Sequence, residues 1–141
     1  MNPEESCLVL LKELETNMEK HMNNAMRELD ITVTQARALV TLQSFPKKQA
    51  SLKNLEKKLQ LSQSVTVGII KRLEQRNYVE SFGDSEDKRI KIVRITPLGE
   101  RQCKASQKIL TRLENRFLSA LTEEEHVVFS ALLKKVKAAM D

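Results

Sequence analysis

At 141 residues the chain is long enough to bury one core of its own, which sets the expectation of a single domain. Charged residues make up 30 % and there are only three Gly and three Pro, a composition that argues against disorder and for a compact helical protein. One Tyr, four Phe and no Trp leave Leu, Ile, Val and Met to build the core, and leave little for stacking on unpaired bases, which argues against a single-strand or RNA binder.

Residues 5–29 read as a long helix, because Leu11, Leu14, Met18, Met22, Met26 and Leu29 recur at steps of three or four and fall on one stripe. That stripe needs a partner, and a second subunit is one candidate. Thr32 and Gln35 form a capping box that opens the next helix, which carries Ala36, Leu39, Val40 and Leu42 and ends at Pro46. Ser51 suits the N-cap of a short helix that turns Leu52, Leu55 and Leu59 inward. After a break at Gln60–Leu61, Ser62 caps a helix reaching about Arg76. Two short helices joined by a tight turn form a helix-turn-helix pattern. Tyr78 to Phe82 then reads as a strand, Gly83 to Arg89 as a charged turn, and Ile90 to Ile95 as a β-branched strand. A hairpin directly after a helix-turn-helix makes a winged helix. Thr96 caps a further helix with Pro97 in its first turn, where the missing N–H costs nothing, and this helix extends to about Ala120. Thr122 and Glu125 form a second capping box, opening a last helix through Val128, Phe129, Leu132, Leu133, Val136 and Met140. The predicted fold is mainly α with a small β-wing.

The net charge of +5 is unevenly distributed. Residues 1–31 hold three basic and seven acidic side chains, whereas residues 47–94 hold twelve basic and six acidic. A basic middle between less basic flanks is the electrostatic footprint of a surface that meets phosphate, although a solvated lysine-rich face gives the same count. No apolar run approaches a membrane span, and residues 1–30 carry acids at regular intervals where a targeting signal would be apolar. Cys7 and Cys103 lie far apart and form no C-x-x-C, which points to a reducing, cytoplasmic compartment.

Within this frame the sequence resembles a known family. Leu61-Ser62-Gln63-Ser64, Arg72-Leu73-Glu74 and Tyr78-Val79-Glu80 are similar to the recognition-helix block of MarR-family winged helix-turn-helix regulators. Asp87-Lys88-Arg89, followed after five residues by Ile95-Thr96-Pro97-Leu98-Gly99, resembles that family's wing signature, D-x-R and then L-T-x-x-G, with isoleucine in place of leucine. The resemblance implies a homodimer on pseudo-palindromic double-stranded DNA, released from it by a small-molecule effector or an oxidant. It also implies a DNA-binding core over about 32–96, with residues 1–31 and 97–141 supplying dimerisation helices.

At roughly 100° per residue, the helix after Ser62 turns Thr66, Ile69, Ile70 and Leu73 toward the core. Ser64, Val67, Gly68 and Lys71 fall on the opposite side, with Gln63 and Arg72 on the flanks. Serine and glutamine can bond base edges, and Val67 offers a methyl surface for a thymine methyl. Lys71 and Arg72 suit phosphate, which sets register without reading sequence, and backbone N–H groups at the Ser62 end can do the same. Gly68 is a departure from the family, since a mid-helix glycine costs about 1 kcal/mol relative to alanine. Either the backbone comes close to DNA there or a base contact has been lost.

In the wing, Arg89 is the candidate for minor-groove insertion, with Lys88 beside it and Asp87 orienting the arginine as the family pattern implies. Asp84, Glu86 and Asp87 form an acidic cluster at the same place, so some of them must be paired or turned away. Cys7 stands loosely where oxidant-sensing relatives keep a reactive thiol, but the only Tyr is Tyr78 and its near neighbours Glu4 and Glu5 are acidic, so a packed or idle cysteine is the expectation. His21 and His126 are too few for a metal site. No phosphate loop or nucleophile–base motif is present, so neither an enzyme nor a cofactor is expected. The alternatives to a ligand-responsive repressor are a thiol-based sensor using Cys7 and a winged helix used for protein association.

Overall fold

In the computed structural model, which describes residues 2–141, caps and left-handed residues set the element boundaries. Helix α1 (Cys7–Met26) is shorter than the expected 5–29, because the chain tightens into a 3-10 turn at Arg27–Leu29. Asp30, left-handed at φ 51°, then turns the chain into α2 (Val33–Ser44). The Thr32–Gln35 box closes in both directions: Thr32 Oγ1 accepts from the Gln35 N–H at 3.1 Å, and Gln35 Oε1 accepts from the Thr32 N–H at 3.2 Å. Ser51 Oγ accepts from the Asn54 N–H at 3.1 Å and opens α3 (Leu52–Leu59). Gln60, left-handed at φ 57°, ends it, and Ser62 opens α4 (Gln63–Gln75) by accepting from the Val65 N–H.

The wing departs from the expected hairpin in having a third strand. β1 (Gln49–Ser51), β2 (Val79–Gly83) and β3 (Lys91–Ile95) form an antiparallel sheet in the order β1-β3-β2. Ala50 pairs with Val93, and both are buried. β1 escapes the sequence because three residues without a β-branched side chain carry no alternation; only pairing with β3 makes them a strand. β2 and β3 each begin one residue later than expected, since Tyr78 is committed elsewhere and Ile90 belongs to the turn.

Tyr78 accepts through its carbonyl from the Thr96 N–H at 3.0 Å. Thr96 Oγ1 donates to the Asn77 carbonyl at 2.6 Å and accepts from the Gly99 N–H at 3.0 Å. This clamp ties the start of α5 (Pro97–Leu118) to the chain between α4 and β2. Gly99 sits so close to it that an added Cβ would lie 2.0 Å from the Tyr78 carbonyl oxygen, so only glycine fits. The Thr122–Glu125 box opens α6 (Glu123–Met140) with reciprocal bonds of 3.1 and 3.0 Å.

The described residues fall into two compact units divided after Ile109. The first holds the core: Leu39 and Leu42 of α2, Leu55 and Leu59 of α3, Ile70 and Leu73 of α4, and Val93 of β3 are all shielded from solvent. The second, Leu110–Asp141, has no fully buried side chain, and Val128, Phe129, Leu132, Leu133, Val136 and Met140 of α6 are exposed. Among the described residues no helix is long and apolar enough to cross a membrane.

Candidate nucleic-acid interface

The inward face of α4 matches the helical period: Thr66, Ile69, Ile70 and Leu73 are buried. Thr66 resolves its hydroxyl locally by donating to the Ser62 carbonyl at 2.9 Å, so a polar side chain is carried in the core without an orphaned donor. On the other side Ser62, Gln63, Ser64, Val67, Lys71 and Arg72 are exposed and Gly68 is half-buried. Nothing lies within 4 Å of where a Gly68 Cβ would stand, so no packing within the chain requires glycine there. Val65, 48 % exposed at the start of the helix, belongs to the same surface, and sequence reasoning missed it. Its signal was present: it follows the N-cap by three residues, on the turn that a groove-inserted helix presents first.

The wing turn uses its acids to shape itself. Asp84 Oδ2 accepts from the Glu86 and Asp87 N–H groups, both at 3.2 Å, and the Asp84 N–H donates to the Ile90 carbonyl at 2.9 Å. Asp87 receives Arg89 through two side-chain bonds, Nε to Oδ1 at 3.0 Å and Nη2 to Oδ2 at 3.1 Å, and also accepts the Arg89 N–H at 3.1 Å. The Arg89 side chain, then the Arg89 N–H, hold the Asp87 carboxyl below its ordinary range, and Asp87 pushes the Arg89 guanidinium up. Two of the three acids are thereby turned inward on the loop, while the Arg89 side chain stays 91 % exposed with its remaining donors directed at solvent. Lys88 is exposed next to it.

The tertiary structure brings two of the sequence candidates, Gln63 and Arg89, onto one groove of about 550 Å³, together with Ser51, Lys53, Glu56 and Lys91. Lys53 and Lys91 were not among the sequence candidates. Each sits in a segment whose charge looks like ordinary solvated surface until α3, α4 and the wing are folded against one another. Arg72 lies apart from this groove, on a cleft of about 780 Å³ that also takes in Asn23, Arg27, Gln35, Gln75 and Arg76. Arg76 is engaged there: it donates to the Asp30 carbonyl, pairs with the Asp30 carboxylate at 3.6 Å, and lies 5.0 Å over the Tyr78 ring. Arg27 and Arg72 have no ion-pair partner among the described residues.

Cys7 is exposed at the first position of α1, so of the two expected alternatives, packed or idle, it is not packed. Cys103 is buried, and desolvation, with the Glu100 charge second, pushes its thiol above the ordinary value.

Residues 31–91 match the family model described as the MarR family. No curated protein matches the sequence. Among solved structures the chain is similar to a mutant of MarR from E. coli complexed with operator DNA, at 24 % identity over 90 % of either chain and a TM-score of 0.80. It is similar to the MepR–DNA complex of S. aureus at 22 % identity over 95 % of this chain and 98 % of that one, with a TM-score of 0.85. It also matches BpsR of Bordetella bronchiseptica, whose DNA binding is regulated by 6-hydroxynicotinic acid, at 22 % identity over 94 % of both chains and a TM-score of 0.82. At these identities the structures establish the winged-helix fold, and the family model adds kinship over the segment that holds α2 to the wing. Residues 31–91 thus match the MarR family, and the chain shares the winged-helix fold of these structures.

Proposed function

We propose that this chain is a transcriptional repressor that binds a pseudo-palindromic duplex operator as a homodimer. The observation that carries the proposal is the groove where Gln63, Lys53, Lys91 and Arg89 converge from three elements. Such a surface sets α4 in the major groove and the wing arginine in the neighbouring minor groove, with lysines on the intervening phosphates. In this reading Ser62, Gln63, Ser64 and Val67 meet base edges or the nearest phosphates. Lys71, Arg72 and Lys88 neutralise backbone, Arg89 enters the minor groove, and Asp87 orients it. Gly68 lets the helix backbone approach the duplex. Residues 32–96 form the DNA-binding core, and residues 1–31 and 97–141 dimerise. Support for the dimer comes from exposed apolar stripes on two helices, Leu8, Leu11, Leu14 and Met18 on α1 and Val128, Phe129, Leu132, Leu133 and Val136 on α6.

The cleft bearing Arg27 and Arg72 favours a small anionic effector, because two uncommitted guanidiniums there stand among amide side chains suited to a carboxylate. Arg72 is shared between this cleft and the DNA face, so effector and operator compete for it.

The test is selection of bound duplexes from a random pool, followed by titration of the selected duplex at several salt concentrations. Binding should weaken steeply with salt through counterion release. Arg89→Ala should lower affinity at least tenfold, about 1.4 kcal/mol, while sedimentation still reports a dimer. Full affinity in that variant overturns the wing assignment, and a monomer at micromolar concentration overturns the dimer.

A further inference from the structure

The wing and the recognition helix are held together in two ways along their length, and the change from one to the other falls on a single carboxylate. Side chains alternate along β2 and β3, so Val79, Ser81 and Gly83 share one face with Lys91, Val93 and Ile95, their register partners. Toward the base of the wing this face is core: Val79, Val93 and Ile95 are buried. One step further out the apolar residues end. Ser81 is half-buried and Lys91 is exposed, so packing no longer fixes the strands against α4.

Glu74, in the last turn of α4, occupies that place. Its Oε1 accepts from the Ser81 hydroxyl on β2 and pairs with Lys91 Nζ on β3 at 3.3 Å. One carboxylate from the helix thus takes hold of both strands of the hairpin, just below the turn that carries Arg89. On the opposite face of the hairpin Arg94 bonds Glu80 across the strands at 2.6 Å and lies 4.9 Å over the Phe82 ring. Those contacts stiffen the hairpin without attaching it to the helix.

We propose that Glu74 is a positioning residue for DNA recognition: by clasping Ser81 and Lys91 it fixes the offset of the wing arginine from the groove-reading face of α4. The inference rests on the reading of α4 and the wing as a DNA-binding pair. The Glu74 carboxylate is engaged by Ser81 and Lys91, so its contribution comes through the wing that carries Arg89. Without the clasp the outer wing pivots about its packed base, and binding must then supply the cost of ordering it.

The test uses the full chain as wild type, Glu74→Ala, Glu74→Gln and Ser81→Ala, on a duplex selected by the wild type. Glu74→Ala should bind about tenfold more weakly, the ordering cost of a few side chains. Hydroxyl-radical protection should be lost over the outer minor grooves, while methylation protection of major-groove guanines persists. Glu74→Gln keeps an oxygen for the Ser81 hydroxyl and should fall between the two. Affinity within twofold of wild type, or a loss of protection equal in both grooves, overturns the proposal. Ser81→Ala removes only an edge hydroxyl and carries the same test if Glu74→Ala fails to fold. Backbone relaxation separates this inference from the reading beneath it. Amides of Asp84–Ile90 should gain nanosecond motion in Glu74→Ala without any DNA, and unchanged order parameters overturn the clasp. A wild type that binds no duplex overturns the DNA-binding reading and, with it, the assigned role of the clasp.

Discussion

Gly68→Ala separates what α4 needs in order to fold from what its exposed face does. Gly68 lies inside α4, five residues after its first, and it has no positive φ, so alanine can adopt its conformation without strain. The added methyl meets nothing within 4 Å, and therefore neither fills a cavity nor creates a clash. What remains is the helix propensity difference, about 0.8–1 kcal/mol in favour of alanine. With an unfolding entropy of about 2 cal/mol/K per residue, that raises the melting temperature of a chain of this length by about 3 °C. The assay is thermal unfolding followed by circular dichroism at a fixed protomer concentration, since association shifts the midpoint by mass action. On the DNA side the methyl projects from the same side as Ser64 and Lys71. If the helix backbone approaches the duplex at Gly68, affinity falls about tenfold, 1.4 kcal/mol, in the variant that is more stable. Opposite signs are the expected result. A lower melting temperature refutes the open surroundings of Gly68. Higher stability with undiminished affinity refutes the close approach and leaves the glycine as a lost base contact.

Gly99→Ala should do the reverse, because its Cβ would stand 2.0 Å from the Tyr78 carbonyl oxygen and 2.8 Å from Ile95 Cγ1. Chemical denaturation should show a loss of about 3 kcal/mol or more, the upper end of overpacking costs; a loss under 1 kcal/mol would refute the tight Thr96–Gly99 clamp. Thiol titration with a disulfide reagent at pH 8 should label Cys7 quickly and Cys103 only on unfolding. Burial raises the Cys103 pKa, so its thiol stays protonated through the pH range in which an ordinary cysteine begins to ionise. Rapid labelling of both in the native protein would contradict that burial.

The order of elements was legible because it depends on local chemistry. Thr32, Ser51, Ser62 and Thr122 each bond a backbone N–H three residues on, as their side chains dictate. The buried face of α4 follows from a period of 3.6 alone. The wing pair Asp87 and Arg89, two residues apart, could meet whatever the rest of the chain did. Three features depend on segments distant in sequence. β1 exists only because β3 is beside it. Lys53 and Lys91 join Gln63 and Arg89 only when three elements pack around one groove. Glu74 reads as one more acid on a helix until the sheet places Ser81 and Lys91 against it.

The unequal charge between the ends and the middle of the chain was present in the sequence from the start, and with it the expectation of a phosphate-facing surface. Composition cannot say which cations share that surface, because charge is additive along a chain whereas a groove is a matter of distance. The sequence determined the helices, their caps and the wing turn, all set by interactions within a few residues. The tertiary structure alone decided which lysines, which carboxylate and which cleft stand beside them, since those neighbours are chosen by packing the core.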